Sequence, residues 1–378
     1  MSFWSLPGPS SFVGRISRAV GMGRSVVVRL PCHCPKRLAT ELKRCFHDDM
    51  PLIEVSATQD ERPVECLYNR LVTDGHPDLV RTASTLVRES SFGGQIIWLE
   101  GIDGALWKQW KGFLLEYEHA SRSVPSSIQT HLLVPLRGEW SCLPLAETVG
   151  IEVLRWNGFV RPLDMLLLAN DSLPDLRPGI GSELASSVAA QLAGWDPDLC
   201  TLLAALSLDD LVEPLNILRE YGRSRGWDAL ATKDDLQLWA SGAMQQFRSL
   251  DTLHPAYSAV KNEHLRIRQL LWEAELSVLM PYIERERQLL LTTYSTLLTV
   301  PWVDAYGRVI ADVFDLEIGH IEYQLSRRPG ITREQLRQIA DLKEARNSLS
   351  HLEPVPKVVL SRIIASDSGR ARSRTNSS

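Results

Sequence analysis

Apolar residues in the first half of the chain follow two alternating patterns. Short, strongly apolar runs are typical of strands buried in a parallel sheet. Between them lie stretches whose apolar residues recur at helical spacing. Strands that alternate with helices of about 10 to 15 residues form βαβ units. The sequence therefore predicts an α/β domain over 1–170, with a parallel sheet whose strands are 25–30, 52–56, 95–99, 130–136 and 151–156.

The pattern becomes almost wholly helical after about residue 170. We expect a helical middle domain over 171–257, a helical bundle over 258–360 and a disordered tail over 361–378, whose last residues lack large apolar side chains. Two local features are also expected here. Residues 234–247 are predicted to be helical, and Pro281 is predicted to kink or end a long helix that begins near residue 259.

Composition narrows the class of protein. The chain has 378 residues, a net charge of -5 and six cysteines, which is ordinary for a folded multi-domain protein. Neither a secretory signal nor a long uncharged apolar stretch is present in the sequence, so no membrane association is expected. Sparse cysteines indicate a reducing, cytoplasmic environment. The charge argues against a wholly basic nucleic-acid-coating surface and leaves a local basic patch open.

The order of elements over residues 8–160 resembles the core of AAA+ and related P-loop ATPases. In that family the first strand leads into a glycine-rich loop that holds the phosphates with backbone amides and a lysine. Here the first strand is followed by Pro31–Lys36, which contains no glycine and no hydroxyl residue. The resemblance therefore implies a degenerate P-loop module that has lost ATP hydrolysis, and no cofactor is expected.

Two smaller groups of residues have competing interpretations. Glu100 and Asp103 follow an apolar strand, where the family would hold Mg²⁺, but a strand end is also where a chain emerges into solvent. Cys32, Cys34 and the pair Cys45 and His47 have the chemistry of zinc ligands. Their spacing is tight for zinc, however, and buried cysteines that act as small hydrophobic residues are favoured. No metal site is expected.

The C-terminal region contains one motif that suggests catalysis. Thr332 and Gln335 form a predicted capping box at the start of a helix, and Arg346, Asn347 and His351 lie near its end. An arginine, a polar residue and a histidine in this Arg-Asn-x-x-x-His arrangement, over about 259–356, resemble the HEPN superfamily. Many members of that superfamily are metal-independent endoribonucleases. The resemblance implies that Arg346, Asn347 and His351 are catalytic.

The chemistry of RNA cleavage suits these residues. A histidine can accept a proton from the 2′-OH or donate one to the leaving oxygen. A guanidinium can stabilise the charge on the phosphorane. At about 100° per residue, Asn347 and His351 share a helix face, whereas Arg346 lies about 140° from His351. Two copies would therefore have to combine their motifs, so a homodimer or higher oligomer is expected.

Three functional hypotheses follow, and the third of them is a nucleotide-sensing ATPase that uses an unconventional phosphate loop. The first is a component of a prokaryotic anti-phage defence system with a HEPN endoribonuclease domain that acts on RNA, together with other defence subunits. The alternative is a non-enzymatic scaffold or regulatory subunit of such a system. In that case His351 would cap the last helical carbonyls and Arg346 would form a surface ion pair.

Overall fold

The structure is a computed structural model that describes residues 2–46, 50–73, 80–174, 179–231, 233–304 and 307–375, with side chains to residue 368. Its strands are β1 (Ser25–Leu30), β2 (Leu52–Ser56), β3 (Ile96–Glu100), β4 (His131–Arg137), β5 (Ile151–Arg155), β6 (Met244–Phe247), β7 (Leu250–Leu253), β8 (Trp302–Val303) and β9 (Val309–Ile310).

The helices follow the same chain order. They are α1 (Pro7–Gly21), α2 (Leu38–Cys45), α3 (Pro63–Leu71), α4 (Ala83–Leu86), α5 (Gly104–Ser121), α6 (Pro162–Ser172), α7 (Ile180–Ala193), α8 (Pro197–Ala204), α9 (Leu208–Leu211), α10 (Leu215–Ser224), α11 (Asp235–Ala240), α12 (Pro255–Val260), α13 (His264–Thr293), α14 (Ile318–Leu325), α15 (Arg333–Ser350) and α16 (Lys357–Thr375).

The chain divides into two compact units, and each contains two separate segments. The first unit is 1–164 with 225–254, and the second is 165–224 with 255–378. This division differs from the expected middle domain at 171–257, whose residues are shared between the units. The reason is local packing: α11 and β6 lie against the sheet region of the first unit, whereas α7 packs along α13 in the second.

A five-stranded parallel sheet forms the centre of the first unit, in the order β2-β3-β4-β1-β5. This confirms the predicted α/β sheet, whose strands all lie within a residue of their expected positions. β1 is internal because its β-branched residues are buried on both faces. Val27 packs with α3 and α5 in the main core, while Val26 and Val28 point to the opposite face.

The segment 225–254 covers the carboxyl ends of three neighbouring strands in this unit. The backbone N–H of Cys32, just after β1, donates to the Ala240 carbonyl at 2.7 Å. Beyond β5, the Trp239 indole N–H donates to the Trp156 carbonyl at 3.1 Å. After β4, the Cys142 thiol approaches the carbonyl of Leu236. The chain's own residues therefore occupy the sheet edge at which α/β proteins commonly bind ligands.

The predicted helix over 234–247 is wrong beyond Ala240. Gly242 adopts a positive φ of 80°, and the chain continues as the antiparallel hairpin β6–β7. The two residues of the hairpin turn, Arg248 and Ser249, both have positive φ. Left-handed positions in such turns usually hold Asn or Gly, so the turn gives little sequence signal.

Helices make up most of the second unit. α13 is its longest helix within the described residues, and it packs against α7 and α15. It does not end at Pro281, because buried Leu279, Tyr282 and Ile283 hold both sides of that position in the core. Tertiary packing here outweighs the loss of one helical hydrogen bond at a proline.

The C-terminal segment also differs from expectation. α16 runs to Thr375, where a disordered tail was expected from residue 361. Its first turns bury Leu360 and Ile363, and the Asp367 carboxylate accepts a hydrogen bond from the backbone N–H of Ile180 at 3.1 Å. These contacts order a segment whose composition alone predicts disorder. Residues 376–378 lie outside the described residues.

Within the described part of the chain, no helix is both long enough and apolar enough to span a lipid bilayer.

Candidate functional site

Helix α15 begins at the predicted capping box. The Thr332 hydroxyl accepts a hydrogen bond from the Gln335 backbone N–H at 3.2 Å, and the Gln335 side chain accepts one from the Thr332 N–H at 2.8 Å. Such reciprocal bonds satisfy two of the donors left unpaired at a helix start. Buried Ile339, Leu342 and Leu349 then form the apolar face of the helix.

The helix ends at Ser350, and His351 is its C-cap residue. The backbone N–H of Glu353 donates to the Ser348 carbonyl at 3.0 Å, and that of Leu352 donates to the Leu349 carbonyl at 3.3 Å. This pair of bonds is a Schellman motif. Leu352 occupies its left-handed position, at a φ of 62°, where glycine is usually preferred. Backbone groups rather than the imidazole thus close the helix beside His351.

Two residues of the predicted motif line the same pocket, and the third lies on a different face of the helix. Asn347 and His351 are exposed, and both line an open pocket of about 460 Å³ at the end of α15. Arg346 lies on a different face of the helix, where its guanidinium pairs with Glu317 at 3.1 Å. The structure therefore has the geometry expected from the helical spacing: one copy presents the histidine and the arginine in different directions.

The His351 ring makes no hydrogen bond to any of the described residues. In particular, it does not cap the last carbonyls of α15, as the structural interpretation of this histidine had supposed. The salt bridge of Arg346 does match that interpretation. Both of its members are well exposed, at 41% and 56% of their side-chain surface, so the pair contributes at most about 1 kcal/mol to stability.

Acidic side chains dominate the pocket. Glu322, Glu344 and Glu353 line it, and Lys343 is the only lysine or arginine among the described residues that line it. Lys343 is itself paired with Glu322 at 2.7 Å. A single copy of the pocket therefore offers little net attraction for a phosphate group, and cations from elsewhere would have to supply it.

Sequence reasoning missed these acidic residues, although part of the signal was available. Glu344 precedes Asn347 by three positions and His351 by seven, which places all three on one helix face. Glu322 comes from α14, and nothing in the sequence indicated that α14 packs beside α15. The pocket therefore depends on a tertiary contact that the helical pattern cannot reveal.

Helix α13 holds both sides of the His351 position. The Trp272 indole N–H donates to the Leu349 carbonyl at 2.8 Å, two residues before the histidine. The Glu275 carboxylate accepts a hydrogen bond from the Val355 N–H at 2.6 Å, four residues after it. Glu275 is only 1% exposed, and burial raises its pKa to about 7. These two contacts fix the backbone that carries His351.

The candidate metal ligands that the structure describes do not assemble into a site. Among the described residues, no group of three or more histidine, cysteine, aspartate or glutamate side chains lies close enough to hold a metal ion. Cys34 is buried, and burial raises the pKa of its thiol to about 12, which disfavours the thiolate that zinc requires. His47 lies outside the described residues. Cys34 therefore matches the hydrophobic interpretation of these cysteines.

The acidic residues at the end of β3 and just after it have structural roles. The Asp103 carboxylate accepts hydrogen bonds from the backbone N–H groups of Ala105 and Leu106, both at 3.0 Å, and so caps α5. Glu100 is exposed and accepts a hydrogen bond from the Trp98 indole at 2.9 Å. Asp103 is thus already engaged by two donors, and both residues fit a strand that emerges into solvent.

Comparison with known proteins leaves the family open. No protein-family model matches the chain, and no curated protein matches it significantly in sequence. The functional conclusion has to rest on the residues of the site itself.

Proposed function

We propose that this protein is a metal-independent endoribonuclease of the HEPN type whose active site is completed by two copies of the chain. The observation that carries the proposal is the shared exposure of Asn347 and His351 in one pocket, with Arg346 partly exposed on a different face of the helix. His351 would exchange protons with the 2′-OH and the leaving oxygen. Arg346 of the second copy would stabilise the phosphorane.

The charge of the pocket supports the need for a second copy. Three glutamates line it against one paired lysine, so RNA phosphate requires additional cations. Arg346 is held only by an exposed ion pair with Glu317, which is weak enough to be exchanged for a phosphate. A facing copy would bring its arginine to this histidine. As a component of a defence system, such an enzyme would act with other subunits that control it.

The experiment is cleavage of end-labelled RNA by the full-length protein in the presence of EDTA. Cleavage products should carry 2′,3′-cyclic phosphate ends. His351→Ala and Arg346→Ala should each reduce the rate by about 10²–10⁴-fold. The matched controls are His119→Ala, an exposed histidine in the last turn of α5, and Arg337→Ala, an exposed arginine of α15. Both control variants should retain the wild-type rate.

The free energy of unfolding of the same variants distinguishes a catalytic role of His351 from a structural one. His351 is exposed and its ring lacks a hydrogen bond to the described residues, so His351→Ala should change the free energy of unfolding by less than about 0.5 kcal/mol. A rate that survives His351→Ala would end the catalytic interpretation. A rate loss that accompanies a large stability loss would assign the histidine a structural role.

The second candidate function is a non-enzymatic scaffold or regulatory subunit. The acidic pocket and the engagement of Arg346 by Glu317 favour it, since both oppose RNA binding. It predicts no cleavage even when the partner subunits and the phage trigger are supplied. Expression toxicity during phage infection that disappears in His351→Ala would instead favour the nuclease.

A further inference from the structure

A basic pocket lies at the carboxyl end of β5 in the first unit. It has a volume of about 390 Å³ and is bounded by α1, the end of β5 and the loop that follows it. Arg15, Arg155 and Arg161 line it, together with the polar side chains of Ser11 and Asn157. Its lining residues include no aspartate and no glutamate, which is the opposite of the pocket beside His351.

The three arginines lack the carboxylate partners that other arginines of this unit have. Arg24, for example, pairs with Glu152 at 3.2 Å. Within the described residues, no salt bridge joins Arg15, Arg155 or Arg161 to an acidic side chain. Arg15 instead lies over the Phe159 ring of the loop, 5.7 Å from its centroid. The pocket wall therefore carries arginines that no carboxylate of the described residues pairs with directly.

Arg155 shows the shortage of negative charge most clearly. Its guanidinium stacks over the Trp239 ring at 4.1 Å, and its buried Nε has no hydrogen-bond partner among the described residues. Burial lowers the pKa of Arg155; the charge of Cys142 acts in the opposite direction, and the charge of Arg29, its register partner on β1, lowers the pKa again. A bound anion would relieve this repulsion.

The start of α1 lies in the pocket wall, but its amides are not available to a ligand. Pro7 and Pro9 have no N–H, and the Gly8 N–H donates to the Asp164 carboxylate at 3.0 Å. The same carboxylate accepts a hydrogen bond from the Arg161 N–H at 2.7 Å. Asp164 is 1% exposed and lies behind the pocket wall, where its carboxylate offsets part of the positive charge of the arginines. Its two hydrogen bonds also join the loop after β5 to the start of α1. Side chains must therefore hold the anion.

We propose that this pocket binds the phosphate group of a small phosphorylated molecule. Guanidinium groups match phosphate oxygens by two-point hydrogen bonding, and the Ser11 hydroxyl and Asn157 amide add neutral donors. The volume exceeds that of a phosphate and lies near the lower end of the ~300–1,000 Å³ typical of small-molecule sites. The site lies beside the end of β5, which is an edge strand of the sheet, and none of the described residues of segment 225–254 lines it.

The test is isothermal titration of the full-length protein at low salt with inorganic phosphate, AMP, ATP without Mg²⁺ and adenosine. Phosphate and the nucleotides should bind, adenosine should not, and added salt should weaken binding. Arg15→Gln and Arg161→Gln should each reduce affinity by about tenfold or more, since each removes a charged hydrogen bond. Arg24→Gln, outside the pocket, should leave the affinity unchanged.

The relative affinities show whether the pocket recognises the phosphate group alone or the molecule that carries it. Equal affinity for phosphate and AMP supports recognition of the oxyanion alone, whereas tighter AMP or ATP binding supports contacts with the attached group as well. Arg15 and Arg161 are exposed, so their variants should keep the wild-type melting temperature. The proposal is overturned if no phosphate compound gives saturable binding, or if folded Arg15→Gln and Arg161→Gln proteins bind as the wild type does.

Discussion

The Glu275 carboxylate accepts a hydrogen bond from the Val355 N–H at 2.6 Å, and this contact joins the middle of α13 to the segment that follows His351. The carboxylate is almost fully buried, and burial outweighs the hydrogen bond, so its pKa rises from 4.5 to about 7. A buried acid with a raised pKa favours the folded state only while it is protonated.

The first prediction concerns pH. In the unfolded chain Glu275 loses its proton near its ordinary pKa, whereas in the folded protein it keeps the proton until about pH 7. The stability that it contributes is therefore fully present below about pH 4.5 and is lost as pH rises through about 7. Glu275→Gln should remove this dependence and stabilise the protein at pH 8 by up to about 3 kcal/mol relative to wild type.

Urea denaturation at several pH values between 5 and 8 measures this effect. Glu353→Gln is the matched control, because Glu353 also lies next to the cap but its side chain is 59% exposed. That control should keep the wild-type pH dependence. An unchanged slope in Glu275→Gln would show that the carboxylate is not the titrating group.

The second prediction tests whether the C-terminal helix belongs to the folded unit. Ile363 is 4% exposed on α16, so Ile363→Ala should lower the free energy of unfolding by about 2–5 kcal/mol. Ser361→Ala, two residues earlier and exposed, is the control and should have little effect. Chemical denaturation of the full-length variants gives both values, and equal stabilities would return residues 361–375 to the disordered state that composition predicts.

The sequence predicts the sheet well because its strands are encoded locally. β1 contains three consecutive valines, and such a run fits a strand buried on both faces. The hairpin β6–β7 was missed because its turn residues, Arg248 and Ser249, are not those usually found at positive φ. α16 was missed for a different reason: its order comes from tertiary contacts such as Asp367 with Ile180, which composition does not show.

The features of the candidate site also separate into those that the sequence predicts and those that depend on tertiary packing. The helix and the divergence of Arg346 from His351 follow from helical spacing, the capping box follows from Thr332 and Gln335, and the structure has all three. The acidic character of the pocket depends on Glu322 from α14 and on the chain reversal that brings Glu353 back. Both are consequences of packing between segments, so only the contribution of Glu344 to the charge of the pocket could be predicted from the sequence.

The third prediction is that the purified protein does not hydrolyse ATP. The loop Pro31–Lys36 lacks the glycines and the Gly-Lys pair of a P-loop, and the Cys32 N–H is already bonded to the Ala240 carbonyl. Segment 225–254 thus fills the position where phosphates would bind. Steady-state phosphate release should equal that of a buffer blank. Release that disappears in Glu100→Gln would contradict the prediction and reassign Glu100 to an active site.

The last prediction follows from the divergence of Arg346 and His351. If each active centre combines an arginine from one copy with a histidine from the other, the full-length protein should self-associate, as measured by light scattering.

Mixing Arg346→Ala protein with His351→Ala protein should then restore measurable RNA cleavage, because a mixed dimer contains one intact arginine–histidine pair. Neither variant alone should cleave, and mixing either one with an Arg346→Ala, His351→Ala double variant should restore nothing. A monomeric protein that still cleaves RNA would exclude a shared centre. A dimer without complementation would show that one copy must supply both residues, which the opposed directions of the two side chains on α15 make difficult.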